Sequence, residues 1–249
     1  MLRLIRSTDY GALLDLVSPR FFEVLPARAL RSEVGALIKG YRDTGTFRNV
    51  TEDLRHSMSV ELAVDVVDRV RSRTVEDPTA YGQRLLELYF WQLFARETVL
   101  LDLRSSRVRF EQGRLKWKPS RIYARWDLSF LEPLRQLYAG FYDDDRASFD
   151  SALKTLDLTE AAPLFIEHFG GGDQRAVRFE LDAFQSVFQR VFTTTRDAGK
   201  QLHPSFISLG VYLGALYENL SRFDRGFDVR DAFVKGRGYA SELKSKRIG

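Results

Sequence analysis

QRAVRFELDAFQSVFQRVFTTTRDAGKQLHPSFISLGVYLGALYENLSRFDRGFDVRDAF (residues 174–233) holds two long apolar-periodic segments joined by the breaker Gly199-Lys-Gln-Leu-His203-Pro204. In the first, Val177, Leu181, Phe184, Val187, Phe188, Val191 and Phe192 recur at three- and four-residue steps, the period of a helix with one apolar face. In the second, Phe206, Leu209, Leu213, Leu216, Tyr217 and Leu220 do the same, with Pro204 and Ser205 as first-turn proline and polar starter. A short link between two such helices makes an antiparallel pair. The expected fold class is therefore mostly α, a helical bundle.

Composition bounds what such a bundle can be. A chain of 249 residues buries roughly 70 to 75 % of its unfolded surface, so neither disulfides nor metal are needed to hold it. With 29 % charged and 44 % hydrophobic residues it reads as globular rather than disordered. The absence of cysteine excludes a disulfide scaffold, thiol catalysis and thiolate-bound zinc or iron-sulfur clusters, and fits a reducing cytoplasm. No apolar run reaches the roughly 18 residues of a membrane span, and Met1 to Arg6 is too short for a secretory signal. The net charge of +4 comes from 38 basic and 34 acidic residues, mostly interleaved. The nearest basic cluster is the tail, Lys235, Arg237, Lys244, Lys246 and Arg247, which is either an anionic-surface contact or a solvated terminus.

Working outward towards the N-terminus, helices are expected over Ser7–Val17 and Pro26–Tyr41, the latter closed by Gly40 and the Asp43-Thr-Gly45 turn. A third begins at Thr51-Glu52-Asp53. The run Met58 to Val70 continues it, because Val60, Val64, Val67 and Val70 keep helical spacing, although valine itself favours strands. Glu76-Asp77-Pro78-Thr79 starts the next, whose apolar residues from Tyr81 to Phe94 cover most of the circumference, as expected of a helix through the middle of a fold. Residues 1–80 thus read as an N-terminal helical region and 81–249 as a helical domain, either as two units or as one continuous domain. Within the latter, Val99-Leu-Leu-Asp102, Arg107-Val-Arg-Phe110, the turn Glu111-Gln-Gly113 and Arg114-Leu-Lys-Trp-Lys118 place one small hairpin near 99–118. Helices follow from Asp127, from Asp145 and over Thr159–Phe169, the last closed by Gly170-Gly-Gly172. The final segment, Asp228 to Ile248, reads as a weakly amphipathic helix interrupted by Gly236-Arg-Gly238.

Few residues carry chemistry. Asp143, Asp144 and Asp145 could hold magnesium, but no partner cluster appears, and a helix N-terminus attracts aspartate through its dipole and free amides. The triple glycine lacks the strand before it and the lysine after it that a phosphate loop needs. His56, His168 and His203 show no metal-ligand spacing. Serines beside basic residues occur in Arg104-Ser-Ser-Arg107, which reads as a turn or an anion contact rather than an active serine. The aromatics of 81–94 could stack a flat ligand, but their spacing among leucines is that of core packing.

A resemblance covers about Tyr89 to Phe233. Leu93-Phe94, Leu100-Leu-Asp102-Leu-Arg-Ser-Ser-Arg107-Val and Gly113-Arg-Leu-Lys-Trp117 resemble the catalytic-loop and metal-loop hairpin of the UbiB/AarF atypical kinase-like family. Phe130 to Leu158 is similar to its next two helices, and His203-Pro204 through Phe227-Asp228 to its proline-started helix. The resemblance implies a degenerate kinase-like C-lobe. The family's His-x-Asp-Pro-His-Pro-Gly-Asn loop falls on Leu100 to Arg107, where only Asp102 matches and Arg107 stands near the metal-binding asparagine. Its Asp-Phe-Gly falls near Pro119-Ser-Arg121, with no carboxylate, and its nucleotide lobe is not visible upstream. Phosphoryl transfer depends on magnesium carboxylates and a lysine on the phosphates, so neither kinase nor ATPase activity and no cofactor are expected. Asp102, the one catalytic candidate, reads alone as a hairpin or cap residue.

Three functions follow as expectations. The first is a non-catalytic scaffold that binds a protein partner or a lipid-like ligand, at a membrane surface by the family's link to isoprenoid-quinone metabolism; Tyr89, Trp91, Phe94, Leu213 and Tyr217 would line its site. The second is a helical enzyme with converging carboxylates from Asp102, Asp143 to Asp145 or Glu218. The third, a nucleic-acid-binding regulator, rests on basic balance without a helix-turn-helix.

Overall fold

The computed structural model describes residue 35 and residues 43–70, 75–169 and 176–248. The expected helix at Ser7–Val17, all but Gly35 of that at Pro26–Tyr41, and Gly170–Gly172 lie outside these residues. What is described is mostly helical.

Helix α1 (Thr44–Glu61) starts earlier than its spacing suggested. Asp43 opens this helix, its carboxylate accepting from the Thr46 amide at 2.9 Å and the Thr46 hydroxyl at 2.7 Å. Of the valine-rich run only residues 58–61, with Val60, continue it. Ala63 takes a left-handed φ of 51°, and Val64–Val66 becomes strand β1. The β preference of valine prevails here because a partner exists: β1 runs parallel to β4 (Arg114–Trp117), with Val64 opposite Leu115 and Val66 opposite Trp117. Asp65 locks the pair, accepting from Arg114 at 2.7 Å and Lys116 at 2.5 Å, and the Arg114 contact foremost holds its carboxyl well below the usual range.

The expected hairpin is present as β3 (Val108–Glu111) and β4, antiparallel, with Glu111 opposite Arg114. Its two-residue turn places Gln112 at φ 54° and Gly113 at φ 74°, the doubly left-handed geometry that tight hairpins favour and glycine accepts without strain. Val99 belongs to a separate strand, β2 (Thr98–Leu100), which pairs with β5 (Tyr123–Arg125).

Helix α2 (Pro78–Ala95) is the central element. Pro78 occupies its first turn and Asp77 caps it by accepting from the Ala80 amide at 3.0 Å. Tyr81, Leu85, Leu86, Leu88, Tyr89, Trp91 and Leu93 are all buried, as a helix apolar on every side demands. Gln92 accepts from the Leu100 amide at 3.0 Å and donates to the Tyr212 hydroxyl at 3.0 Å, tying β2 to the core. Helices α3 (Leu128–Tyr142) and α4 (Arg146–Thr155) begin at Asp127 and Asp145, each accepting from an amide three residues on. A short α5 (Ala162–Phe169) follows.

Val177 is not on the long helix. It lies on β6 (Ala176–Arg178), opposite Phe227 of β7 (Gly226–Asp228), a long-range pairing that local periodicity cannot reveal. Helices α6 (Leu181–Asp197) and α7 (Phe206–Ser221) do form an antiparallel pair: Phe184 stacks on Tyr217 at 4.7 Å while Phe192 meets Phe206 at 6.4 Å. The last helix, α8 (Val229–Ile248), runs through Gly236-Arg-Gly238 without interruption and lies along α2, where Gly236 faces the backbone of Glu87 and Trp91. No helix among the described residues is long and apolar enough to cross a membrane.

At this helix interface Glu87 is 2 % exposed, with Arg84 at 2.6 Å and Lys235 at 4.0 Å. Burial nevertheless pushes its carboxyl above the ordinary glutamate range, against the pull of Arg84. A raised folded-state pKa means that the linked stability is complete below the unfolded value and lost as pH rises through the folded one. Wild type is therefore expected to gain stability relative to Glu87→Gln as pH falls from 7 towards about 4. Paired melting curves across that range check it; a difference that stays flat with pH excludes it.

Candidate functional site

The parallel pairing of β1 with β4 decides where a site can form. Two parallel strands end on the same side, and crevices at such carboxyl ends are where open sheets bind ligands. After Val66 and Trp117 the chains stay linked through the Val67 amide, which donates to the Trp117 carbonyl at 2.8 Å. Lys118 in turn donates its amide to the Arg107 carbonyl at 2.8 Å, bringing the start of β3 to the same place. Helix α1 covers the opening with one stripe, Phe47, Thr51 and Arg55, spaced four residues apart. The result is a cleft of about 420 Å³ walled by that stripe, by Val66–Asp68, by Arg107 and by Lys118–Arg121.

The cleft is basic. Arg55, Arg107, Lys118 and Arg121 line it, and Asp68 is the one carboxylate among the lining residues. Asp68 stands 3.9 Å from Arg55, with its side chain 98 % exposed, so the pair does little to neutralise the wall. Lys118 and Arg121 have no ion partner among the described residues. Ser120, in the same wall, keeps a buried hydroxyl with no hydrogen-bond partner among the described residues.

Arg107 is held from behind. Asp102, fully buried, accepts from Arg104 at 2.8 and 2.9 Å and lies 3.3 Å from the Arg107 Nε. The loop carrying these residues is fastened to α7 and α2. Asn219 donates to the Leu103 carbonyl at 2.6 Å and accepts from the Tyr81 hydroxyl at 2.6 Å. Glu218 accepts from the amide and hydroxyl of Ser105 at 2.8 and 2.7 Å, and the Trp117 indole donates to the Asp102 carbonyl at 3.0 Å. Thus Arg107 projects from a fixed loop, and Lys118–Arg121 from the end of a paired strand. Guanidinium and ammonium groups so placed are suited to hold phosphate or carboxylate oxygens. Among the described residues no group of three His, Asp or Glu side chains could hold a metal ion.

The other candidates from the sequence are placed as follows. Tyr89, Leu213 and Tyr217 meet, together with Tyr138 and Tyr142, around a void of about 30 Å³, room for about one water. Trp91 and Phe94 stand apart from it: the Arg96 guanidinium lies over the Trp91 ring at 5.5 Å, and Phe94 packs edge-on against Phe233. The carboxylates do not pair with one another. Asp143 binds Arg237, Asp144 binds Arg230, Asp145 caps α4, and Glu218 is taken up by Ser105. In the tail, Lys235 pairs with Asp231 at 2.8 Å, and Arg237 pairs with Asp143 and lies over Phe233 at 4.6 Å. Lys244, Lys246 and Arg247 fall on the last turns of α8.

Sequence reasoning singled out Arg107 and Pro119–Arg121 separately, and missed Arg55 and Lys118. The signal that could have joined them was β1, since only its pairing brings α1 over the end of β4. No family model matches the chain, and no curated protein matches it.

Proposed function

We propose that this protein is a non-catalytic binding module that takes an anionic ligand directly on the side chains of the basic cleft, without a metal. The observation that carries the reading is the set of four cations, Arg55, Arg107, Lys118 and Arg121, around one cavity of small-molecule size. The resemblance to a kinase-like C-lobe supports it from another side. By that resemblance Arg107 and Pro119-Ser-Arg121 fall near the positions where the family holds its metal, and in this sequence they carry positive charge or none. A cleft of that sign repels magnesium and attracts the oxygens that magnesium would otherwise bridge. The partner or lipid-like ligand expected of a scaffold enters through its anionic group, whether that group is a free phosphate or a headgroup at a membrane surface.

The test is the melting temperature of the full chain in orthophosphate against chloride at equal ionic strength. Phosphate is expected to raise it, as any ligand of the folded state does. The Lys118→Gln, Arg121→Gln double variant should melt like wild type in chloride and lose the response to phosphate. A wild type indifferent to phosphate overturns the reading. So does magnesium-dependent ATP turnover that disappears in Asp102→Asn.

A further inference from the structure

We infer that the cleft selects a diphosphate ester in its metal-free form, so that magnesium opposes binding instead of assisting it; this rests on the anion-binding reading above. The walls carry four cations and one carboxylate, Asp68; behind Arg107 the buried Asp102 is shared with Arg104, so five cations stand against two carboxylates and the surplus is still positive. A phosphate monoester brings about −1.5 to −2 charges at neutral pH, so a diphosphate matches the surplus more closely. The cations come from three separate pieces of chain: Arg55 from α1, Arg107 from the loop before β3, and Lys118 and Arg121 from the segment after β4. Groups fixed on different walls serve two linked phosphates more readily than one. About 420 Å³ is also the size of a site for an organic ligand. Phe47, Val66, Val67 and Pro119 supply apolar surface for its carbon part.

Magnesium is ordinarily held by one or two carboxylates together with the substrate's phosphates. Asp68 alone is available here, exposed and facing Arg55. A magnesium ion on the diphosphate would cancel two of its charges. It would also occupy the oxygens that guanidinium groups bind in pairs. The complex thus loses both the attraction and the acceptors that this cleft uses.

Isothermal titration of the full chain with inorganic pyrophosphate, at constant ionic strength, tests this with EDTA in one arm and magnesium in slight excess over ligand in the other. Affinity is expected to fall at least tenfold with magnesium, and to be lost in both arms in the Lys118→Gln, Arg121→Gln variant, checked for an unchanged melting temperature in chloride. Equal or tighter binding with magnesium overturns the inference while leaving the anion site standing. Sulfate binding as tightly as pyrophosphate overturns the diphosphate assignment in the same way. Failure of pyrophosphate, orthophosphate and sulfate alike removes both the inference and the reading beneath it.

Discussion

Asp102→Ala is expected to cost about 3–5 kcal/mol of folding stability, the usual penalty for removing one partner of a buried ion pair. The carboxylate is fully buried between two guanidinium groups whose side chains are only 11 % and 17 % exposed, those of Arg104 and Arg107. Alanine removes the carboxylate that both guanidinium groups face, and Arg104 loses two hydrogen bonds of 2.8 and 2.9 Å. Asp102→Asn keeps the volume and one acceptor, so it should cost less than alanine. Urea unfolding of the three chains gives the comparison through the midpoint at constant slope. At about 2–4 °C per kcal/mol for a chain of this size, the alanine variant should also melt well below wild type. The effect must appear in ligand-free protein, because the contacts Asp102 makes with Arg104 and Arg107 are within the chain. An alanine variant within about 1 kcal/mol of wild type would show that the buried cluster is not held by this carboxylate.

How much of this arrangement could be read in the sequence depends on the range of the interaction that creates each part. Helix α2 was legible because its signals are local: Asp77-Pro78 at the start and apolar residues all round from Tyr81 to Phe94. The hairpin was legible for the same reason, since Gln112-Gly113 between alternating segments specifies its own turn. Strand β1 was not. Three residues, Val64–Val66, have no period of their own, and they are a strand because Leu115–Trp117 lies beside them, about fifty residues away. The four-residue step from Val177 to Leu181 places Val177 on a helix, whereas its pairing with Phe227 decides otherwise. The candidate site inherits this limit. Asp102 and the Arg104–Arg107 patch were visible as polar residues in an apolar neighbourhood, but a cleft that needs α1 above β4 exists only once β1 is paired. The helical spacing of the aromatics between Tyr81 and Phe94 is that of packing, and Tyr81, Tyr89, Phe90 and Trp91 are all buried.

Gly236→Ala and Gly238→Ala, two residues apart on α8, should change stability in opposite directions. Both glycines were candidates for a break in the helix, and the helix passes through both, so each lacks a conformational reason to be glycine. On propensity alone, alanine should stabilise either position by about 1 kcal/mol. At Gly238 nothing lies within 4 Å of the added methyl group, and that gain should be realised. At Gly236 the methyl group would stand 2.8 Å from the Glu87 carbonyl oxygen, 2.8 Å from the Phe90 Cβ and 3.1 Å from the Trp91 amide. Two of these are backbone atoms of the buried central helix and cannot turn aside, so α8 must move away from α2. Overpacking of this kind costs about 1–3 kcal/mol, enough to outweigh the propensity gain. Gly236→Val adds a branched side chain at the same contact and should cost more. The displacement also opens the helix interface around Glu87, so the variant's melting temperature should lose part of the pH dependence expected of wild type. Equal stabilisation by alanine at the two positions would mean that α8 is free to shift on α2, and that the close approach at Gly236 does not hold the two helices together.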